Sequence, residues 1–250
     1  MPETGIVGAI PARYGSTRLL AKPLAAIAGR PMIEHVYRRA VQARSLSRVV
    51  VLTDDERIAT VVRGFGGEVM MTPEECVSGT DRIAWAARSW DVPAIINIQG
   101  DEPLIDPHGI EKLARHLIDN PGDPMATLAA PLRDGDLDNP NVVKVVLDRR
   151  GYGLYFSRAQ VPYPRRPGIA PSWQHLGIYG YRSDVLQQLA GLEPTPLEMC
   201  ESLEQLRALE NGITIRVLTL EQHAHAGVDT AEDLARVEAF LRAAEAGDSR

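Results

Sequence analysis

Residues 9–24 of this 250-residue chain read Ala-Ile-Pro-Ala-Arg-Tyr-Gly-Ser-Thr-Arg-Leu-Leu-Ala-Lys-Pro-Leu. Arg13, Arg18 and Lys22 place cations around Gly15, Ser16 and Thr17, whose small side chains allow close backbone approach. Amide N–H groups and cations converging on one anion are the equipment for holding a polyphosphate. The Gly-Lys-Ser/Thr ending of a P-loop is missing, and a basic surface loop is the competing reading. Two carboxylates complement this stretch. Asp101 stands in Gln99-Gly100-Asp101-Glu102-Pro103, just past an apolar run, and Asp229 stands in Gly227-Val228-Asp229-Thr230. A carboxylate at such a junction can hold a hard divalent cation; a turn or helix-entry residue is the plainer alternative. The loop and the two carboxylates together suit metal-assisted phosphoryl or nucleotidyl transfer better than a hydrolytic triad.

Other candidates carry weaker signals. The six histidines show no zinc spacing, and His223 and His225 fall in a late loop. His175 opens the run His-Leu-Gly-Ile-Tyr-Gly-Tyr-Arg, where period-two alternation puts it on the same face as Tyr179. Glu198, Glu201, Glu204 and Gln205 recur at near-helical spacing, the usual mark of a solvated helix face. Gly151-Tyr152-Gly153 lacks the third glycine and following helix of a dinucleotide fingerprint.

These groups need a frame, and the chain has enough apolar residues (44%) to bury a sizeable core. No apolar run is long enough to span a bilayer and no signal-peptide stretch opens the chain, so a cytoplasmic protein without a membrane role is expected. A net charge of −6 argues against a general nucleic-acid binder. Cys76 and Cys200 lack metal-ligand spacing and read as reduced bystanders. The basic residues are 24 Arg and 3 Lys, a bias that suggests a GC-rich genome and draws attention to Lys22 and Lys144.

Val- and Ile-rich runs alternate with helical patterns through the first half. Strands are expected at 5–10, 49–53, 68–71 and 94–98, with helices at 32–44, 58–65 and from Thr80 or Asp81 to Ser89. This β-α order predicts a doubly wound sheet with ligands at the carboxyl ends of its strands. The second half is more mixed: a helix at 113–119, strands at 126–130, 142–147, 153–156 and 176–181, and a Pro/Arg loop at 162–171. A helix at 197–211 stopped by Gly212, a strand at 214–218 and a helix at 230–244 entered through Thr230 and Asp233 complete the expectation.

Nine segments in order then resemble the 3-deoxy-manno-octulosonate cytidylyltransferase (CMP-Kdo synthetase) family over nearly the whole chain. They are IPARYGSTR at 10–18, KPL at 22–24, SGTDR at 78–82, QGDEP at 99–103, NPNVVKVV at 139–146, LYFSR at 154–158, HLGIYGYR at 175–182, LEQLRALENG at 203–212 and GVDTAEDL at 227–234. The resemblance implies a mixed, mostly parallel sheet of the nucleotide-diphospho-sugar transferase (Rossmann-like) type. It also implies a single domain over 1–250, with nucleotide binding mainly in 1–108 and acceptor binding and dimerisation mainly in 109–226. The activity implied is transfer of CMP from CTP to an acidic sugar, with Mg²⁺ as cofactor, release of pyrophosphate, and a homodimeric enzyme.

By the same resemblance Arg13, Ser16 and Lys22 hold the CTP phosphates with Arg18 in support, and Ser78, Gly79 and Thr80 lie against the nucleotide near the backbone of Ala9, Pro11 and Ala12. Asp101 and Asp229 are the implied Mg²⁺ ligands. Arg82, Gln99, Arg158, His175, Tyr179, Glu204 and Gln205 are the implied acceptor site. Catalysis would fall to Arg13, Lys22 and Asp101, through positioning and electrostatics. The family commonly carries Pro-Gly where this chain has Leu20-Ala21, which puts the closure of the phosphate loop in question. The segment between Arg158 and His175 is short and rich in Pro and Arg, as in only some members. Two alternatives stay open: the same transfer to another small acid such as a phosphonate in secondary metabolism, and a non-catalytic nucleotide-binding module on this fold.

Overall fold

A computed structural model of the chain describes residues 5–15, 21–133, 135–166, 168–221 and 227–248, with side chains to residue 243. Ser16, Arg18, His223 and His225 lie outside the described residues.

Strand β1 (Ile6–Pro11) leads through a 3-10 turn at Lys22–Leu24 and a small hairpin, β2 (Ala26–Ile27) with β3 (Arg30–Pro31), into α1 (Met32–Ala40). Then come β4 (Leu46–Thr53), α2 (Glu56–Gly64), β5 (Glu68–Met71), α3 (Gly79–Ala87) and β6 (Ala94–Asn97). The second half runs α4 (Pro107–Asp119), β7 (Met125–Pro131), β8 (Lys144–Leu147), β9 (Gly153–Ser157) and β10 (Trp173–Arg182). It closes with α5 (Ser183–Ala190), α6 (Pro196–Glu201), α7 (Gln205–Glu210), β11 (Ile215–Thr219) and α8 (Ala231–Asp248).

The main sheet has the order β11-β7-β10-β6-β1-β4-β5, with β8 and β9 attached through β10. β1 lies parallel to β4 and β6, whereas β10 runs antiparallel to β6, β7 and β8. With β4 parallel to β5 and β11 parallel to β7, four of the six pairings along that seven-strand order are parallel, so the sheet is mixed and mostly parallel, as expected. Neighbouring residues of β1 point to opposite faces: Val7 and Ala9 pack with α3, α5 and α7, while Ile6 and Ile10 pack with α1, α2 and α4. Burial on both faces explains why these strands are continuous apolar runs. A third cluster seats Val237 of α8 against Ile27, Met32, Leu104 and Val228. Among the described residues no helix is long and apolar enough to cross a membrane.

Four local expectations are corrected. Helix α3 is capped by Ser78 rather than Thr80 or Asp81, because Ser78 and Asp81 form a reciprocal capping box. Helix α4 starts at Pro107, six residues before Leu113, since Asp106 accepts from the His108 N–H and Pro107 suits a first turn. The single helix expected over 197–211 is two, α6 and α7, broken where Ser202 takes a left-handed conformation at φ 52°. Helix α5 was missing from the pattern because it follows β10 with no intervening turn residue.

Candidate active site

The carboxyl ends of β1 and β6 and the N-terminus of α3 meet at one rim. The crowding there depends on glycine. A Cβ on Gly100 would lie 2.9 Å from the Pro11 carbonyl oxygen, and one on Gly79 would lie 3.1 Å from Pro11 Cγ. The rim surrounds a cavity of about 280 Å³ whose wall includes Pro11, Ala12, Arg13, Ser78, Gly79 and Gln99. Because the Ser78 box satisfies the Asp81 N–H from its own side chain, the N-terminus of α3 is firmly set beside Arg13 and Lys22. A helix N-terminus flanked by cations favours an anion. Ala9 and Thr80 sit behind this wall: Ala9 accepts from the Ile98 N–H at 2.9 Å within the sheet, and the Thr80 hydroxyl donates to Glu204 Oε2 at 2.9 Å.

Lys22 is the centre of the rim. Its ammonium donates to Asp101 Oδ2 at 2.6 Å and to Asp229 Oδ1 at 2.9 Å. The preceding Ala21 holds it there from a left-handed backbone at φ 54°, where L side chains are strained. Two carboxylates from distant parts of the chain thus converge on a single cation. That donor set, all hard oxygen, fits Mg²⁺. Glu102 lies next to the pair. Burial, and then the Asp101 charge, push its carboxyl up to about 8 against the pull of Lys22.

A second, larger cavity of about 990 Å³ shares Asp229 with the first and is walled in part by Asn139, Val142, Gln174 and His175. His175 is buried and neutral, its pKa lowered to about 3 by desolvation. The Thr127 hydroxyl donates to the Ile178 carbonyl at 2.7 Å and so accepts from His175 Nε2 at 3.0 Å, which sets the tautomer. The rings of His175 and Tyr179 lie 5.3 Å apart, on one face as the alternation predicts despite a bulge between Leu176 and Tyr179. Glu204 and Gln205 line neither cavity; Glu204 accepts from the Thr80 hydroxyl at the start of α3, and its charge acts on Tyr179. Glu204 Oε1 and Gln205 Nε2 are buried without a hydrogen-bond partner among the described residues. Burial raises the Glu204 pKa, and the Thr80 hydroxyl opposes it.

Three other candidates are engaged within the protein. Arg82 lines the smaller cavity, but its guanidinium donates to Asp54 Oδ2 at 2.8 Å and to the Thr72 hydroxyl. Gln99 donates to Asn97 Oδ1 at 3.2 Å. Arg158 lines neither cavity; its guanidinium meets the carbonyls of Glu201 at 2.7 Å, Pro140 at 3.0 Å and Ser202 at 3.3 Å. Glu198 and Glu201 are not the solvated face that their spacing suggests. Glu198 pairs with Arg207, and Glu201 accepts from the Ser157 hydroxyl at 2.6 Å and the Arg158 N–H at 2.9 Å. Sequence reasoning named neither Gly100 nor Glu102 as site residues. A glycine between two polar residues at a strand end was the available signal for Gly100. The Glu102 shift depends on a neighbourhood that only folding creates.

Comparisons with known proteins identify the family. A family model described as Cytidylyltransferase matches residues 7–215. A 3-deoxy-manno-octulosonate cytidylyltransferase from Syntrophotalea carbinolica is 53% identical, covering 95% of this chain and 98% of the relative. Its namesake from Myxococcus xanthus is 50% identical, covering 97% and 99%. A solved CMP:2-keto-3-deoxy-manno-octonic acid synthetase complexed with CTP superposes with a TM-score of 0.92 at 44% identity, over 96% of this chain and 99% of that one. A cytidylyltransferase from Leptospira borgpetersenii, 16% identical with a TM-score of 0.64 over 97% of this chain and 87% of that one, shares the fold. At these identities and coverages, the chain belongs to the 3-deoxy-manno-octulosonate cytidylyltransferase family.

Proposed function

We propose that this protein transfers CMP from CTP to 3-deoxy-manno-octulosonate and releases pyrophosphate, with Mg²⁺ held by Asp101 and Asp229. The observation that carries the reading is the Lys22 ammonium between those two carboxylates at the mouth of a cavity lined by Arg13, Ser78 and Gly79. When bound, the metal would neutralise phosphate charge. Arg13 and Lys22 bind the phosphates, and the N-terminus of α3 supports the same anion. A hydroxyl oxygen of the acceptor attacks the α-phosphorus; its bond to phosphorus forms as the bond to pyrophosphate breaks, and its proton passes to water. Charge developing on the departing pyrophosphate faces Arg13 and Lys22, which need little reorganisation to meet it. The acceptor takes the side beyond Asp229, where His175 lines the larger cavity and stays neutral; Glu204 and Gln205, at the start of α7, keep unpaired polar atoms for its hydroxyl groups.

The test is pyrophosphate release with CTP and Mg²⁺ against Kdo, its amino analogue, sialic acid and small phosphonates. Strong release with Kdo supports the reading. Release with a phosphonate alone would keep cytidylyl transfer but replace the acceptor, and absence of release from CTP with every acceptor would overturn the reading.

A further inference from the structure

Lys144 stands out among the three lysines because its side chain is wholly buried, yet among the described residues it forms no ion pair with a carboxylate. Its ammonium instead gathers three main-chain carbonyls: Asn139 at 2.9 Å, Val142 at 2.7 Å and Arg158 at 2.5 Å. The N–H of Arg158 is held from the other side by Glu201 Oε2 at 2.9 Å, so both polar groups of residue 158's main chain are fixed by charged side chains. The Arg158 guanidinium then reaches the carbonyls of Glu201 and Ser202, which end α6. Those are orphan acceptors of a helix C-terminus, and a planar cation with several donors suits them. The chain breaks there at Ser202, and the next turn brings Glu204 to Thr80 and buries Gln205.

We propose that Lys144 and Arg158 are positioning residues for the acceptor half of the site, Lys144 fixing the Arg158 main chain and the Arg158 guanidinium fixing the helix break that aims Glu204 and Gln205. This rests on the proposed function, since it assigns those two residues to the acceptor. Arg158 thereby acts through Glu204 and Gln205: it lines neither cavity, and each of its three guanidinium nitrogens donates to a main-chain carbonyl, of Pro140, Glu201 or Ser202. Lys144 also ties the 139–142 turn, part of the wall of the larger cavity, to the same corner. Among the described residues no hydrogen bond joins Lys144 or Arg158 to the ends of β1 and β6 or the start of α3, the proposed side for CTP; Glu204 meets that side through the Thr80 hydroxyl.

The test uses Lys144→Met and Arg158→Gln in the full chain, with steady-state kinetics and amide hydrogen exchange without ligand. Both variants should raise KM for the acceptor by about tenfold or more, the loss expected when a set of charge-assisted hydrogen bonds goes, while KM for CTP stays within about twofold. Exchange over 201–207 should quicken in both, and that over 78–81 should not. Equal rises in the two KM values, or unchanged exchange at 201–207 with a raised acceptor KM in Arg158→Gln, would overturn the proposal; the second outcome makes Arg158 a direct acceptor contact. Should Lys144→Met fail to fold, Arg158→Gln decides alone, because its side chain is partly exposed. If the wild-type protein turns over no acceptor, the proposed function fails, and the exchange data still decide whether the clamp positions residues 201–207.

Discussion

Lys22 and Asp229 are 207 residues apart in sequence and 2.9 Å apart in the structure. With Asp101 at 2.6 Å on the same nitrogen, the lysine screens two carboxylates from one another. Removing it in Lys22→Met should therefore cost stability when metal is absent. After discounting for the partly exposed carboxylates, that cost is about 1 kcal/mol, or roughly 2–4 °C in Tm for a chain of this size. Saturating Mg²⁺ should close most of the gap, because it offers the carboxylates another cation. Melting curves with and without Mg²⁺ check this, and an equal deficit in both would show that the lysine is not sharing its place with a metal. Turnover should fall on the order of a hundredfold in either condition, as for loss of a donor facing developing charge.

Gly100→Ala tests the packing of the rim. The added methyl group would meet the Pro11 carbonyl oxygen at 2.9 Å, so β1 and the turn after β6 must separate. A displacement of this kind beside the reacting groups should lower kcat/KM on the order of a hundredfold, out of proportion to any loss of stability. Parallel kinetics and denaturant melts would show it. A variant with full activity would mean that the rim relaxes freely.

The buried His175 predicts an acid limb to stability. Its folded pKa, about 3, lies below the ordinary value of 6.5, so the unfolded chain binds the additional proton between those two pH values. Stability is complete above about pH 6.5 and declines as pH falls toward 3, by up to about 1.4 kcal/mol per pH unit from this group. His175→Gln should flatten that decline. Urea melts of both proteins at pH 7 and pH 5 measure the difference, and identical slopes would remove His175 from the account.

Ala21→Gly addresses the departure from the family's usual Pro-Gly. Alanine at φ 54° carries about 1–2 kcal/mol of left-handed strain, partly offset because glycine frees the unfolded chain by about 0.4–1 kcal/mol. The glycine variant should be slightly more stable, whereas Ala21→Val should be clearly less so. The ordering of the three midpoints in one denaturant series is the measurement.

The strands were legible because burial on both faces leaves unbroken runs such as Val49–Leu52, and the β-α order then led to the sheet. Several residues that line the smaller cavity were legible for a related reason: Arg13, Lys22 and Asp101 stand in short polar motifs that follow apolar strands, whereas Ser78 and Gly79, at the start of α3, were named through the family resemblance. Partnership was not. Glu198 and Glu201 keep helical spacing whether they face water or Arg207 and Ser157, and no local pattern distinguishes the two. The break at Ser202 was hidden because serine carries no glycine-like warning of a left-handed turn. Lys144 drew notice only through the scarcity of lysine, and its three carbonyl partners appear once β8 and β9 are paired.

The place of β10 between β6 and β7 has a mechanical consequence. Residues 1–108 hold β1, β4, β5 and β6, but the outer edge of β6 is completed by a strand that arrives only at Trp173. A fragment ending at residue 108 would bare the backbone of Ile95 and Ile96, both fully buried in the whole chain, as an apolar edge ready to pair with any neighbour. The segment that carries most of the proposed nucleotide site thus cannot be excised as a small soluble binder, and on the ribosome it must wait for the later chain before that edge is sealed.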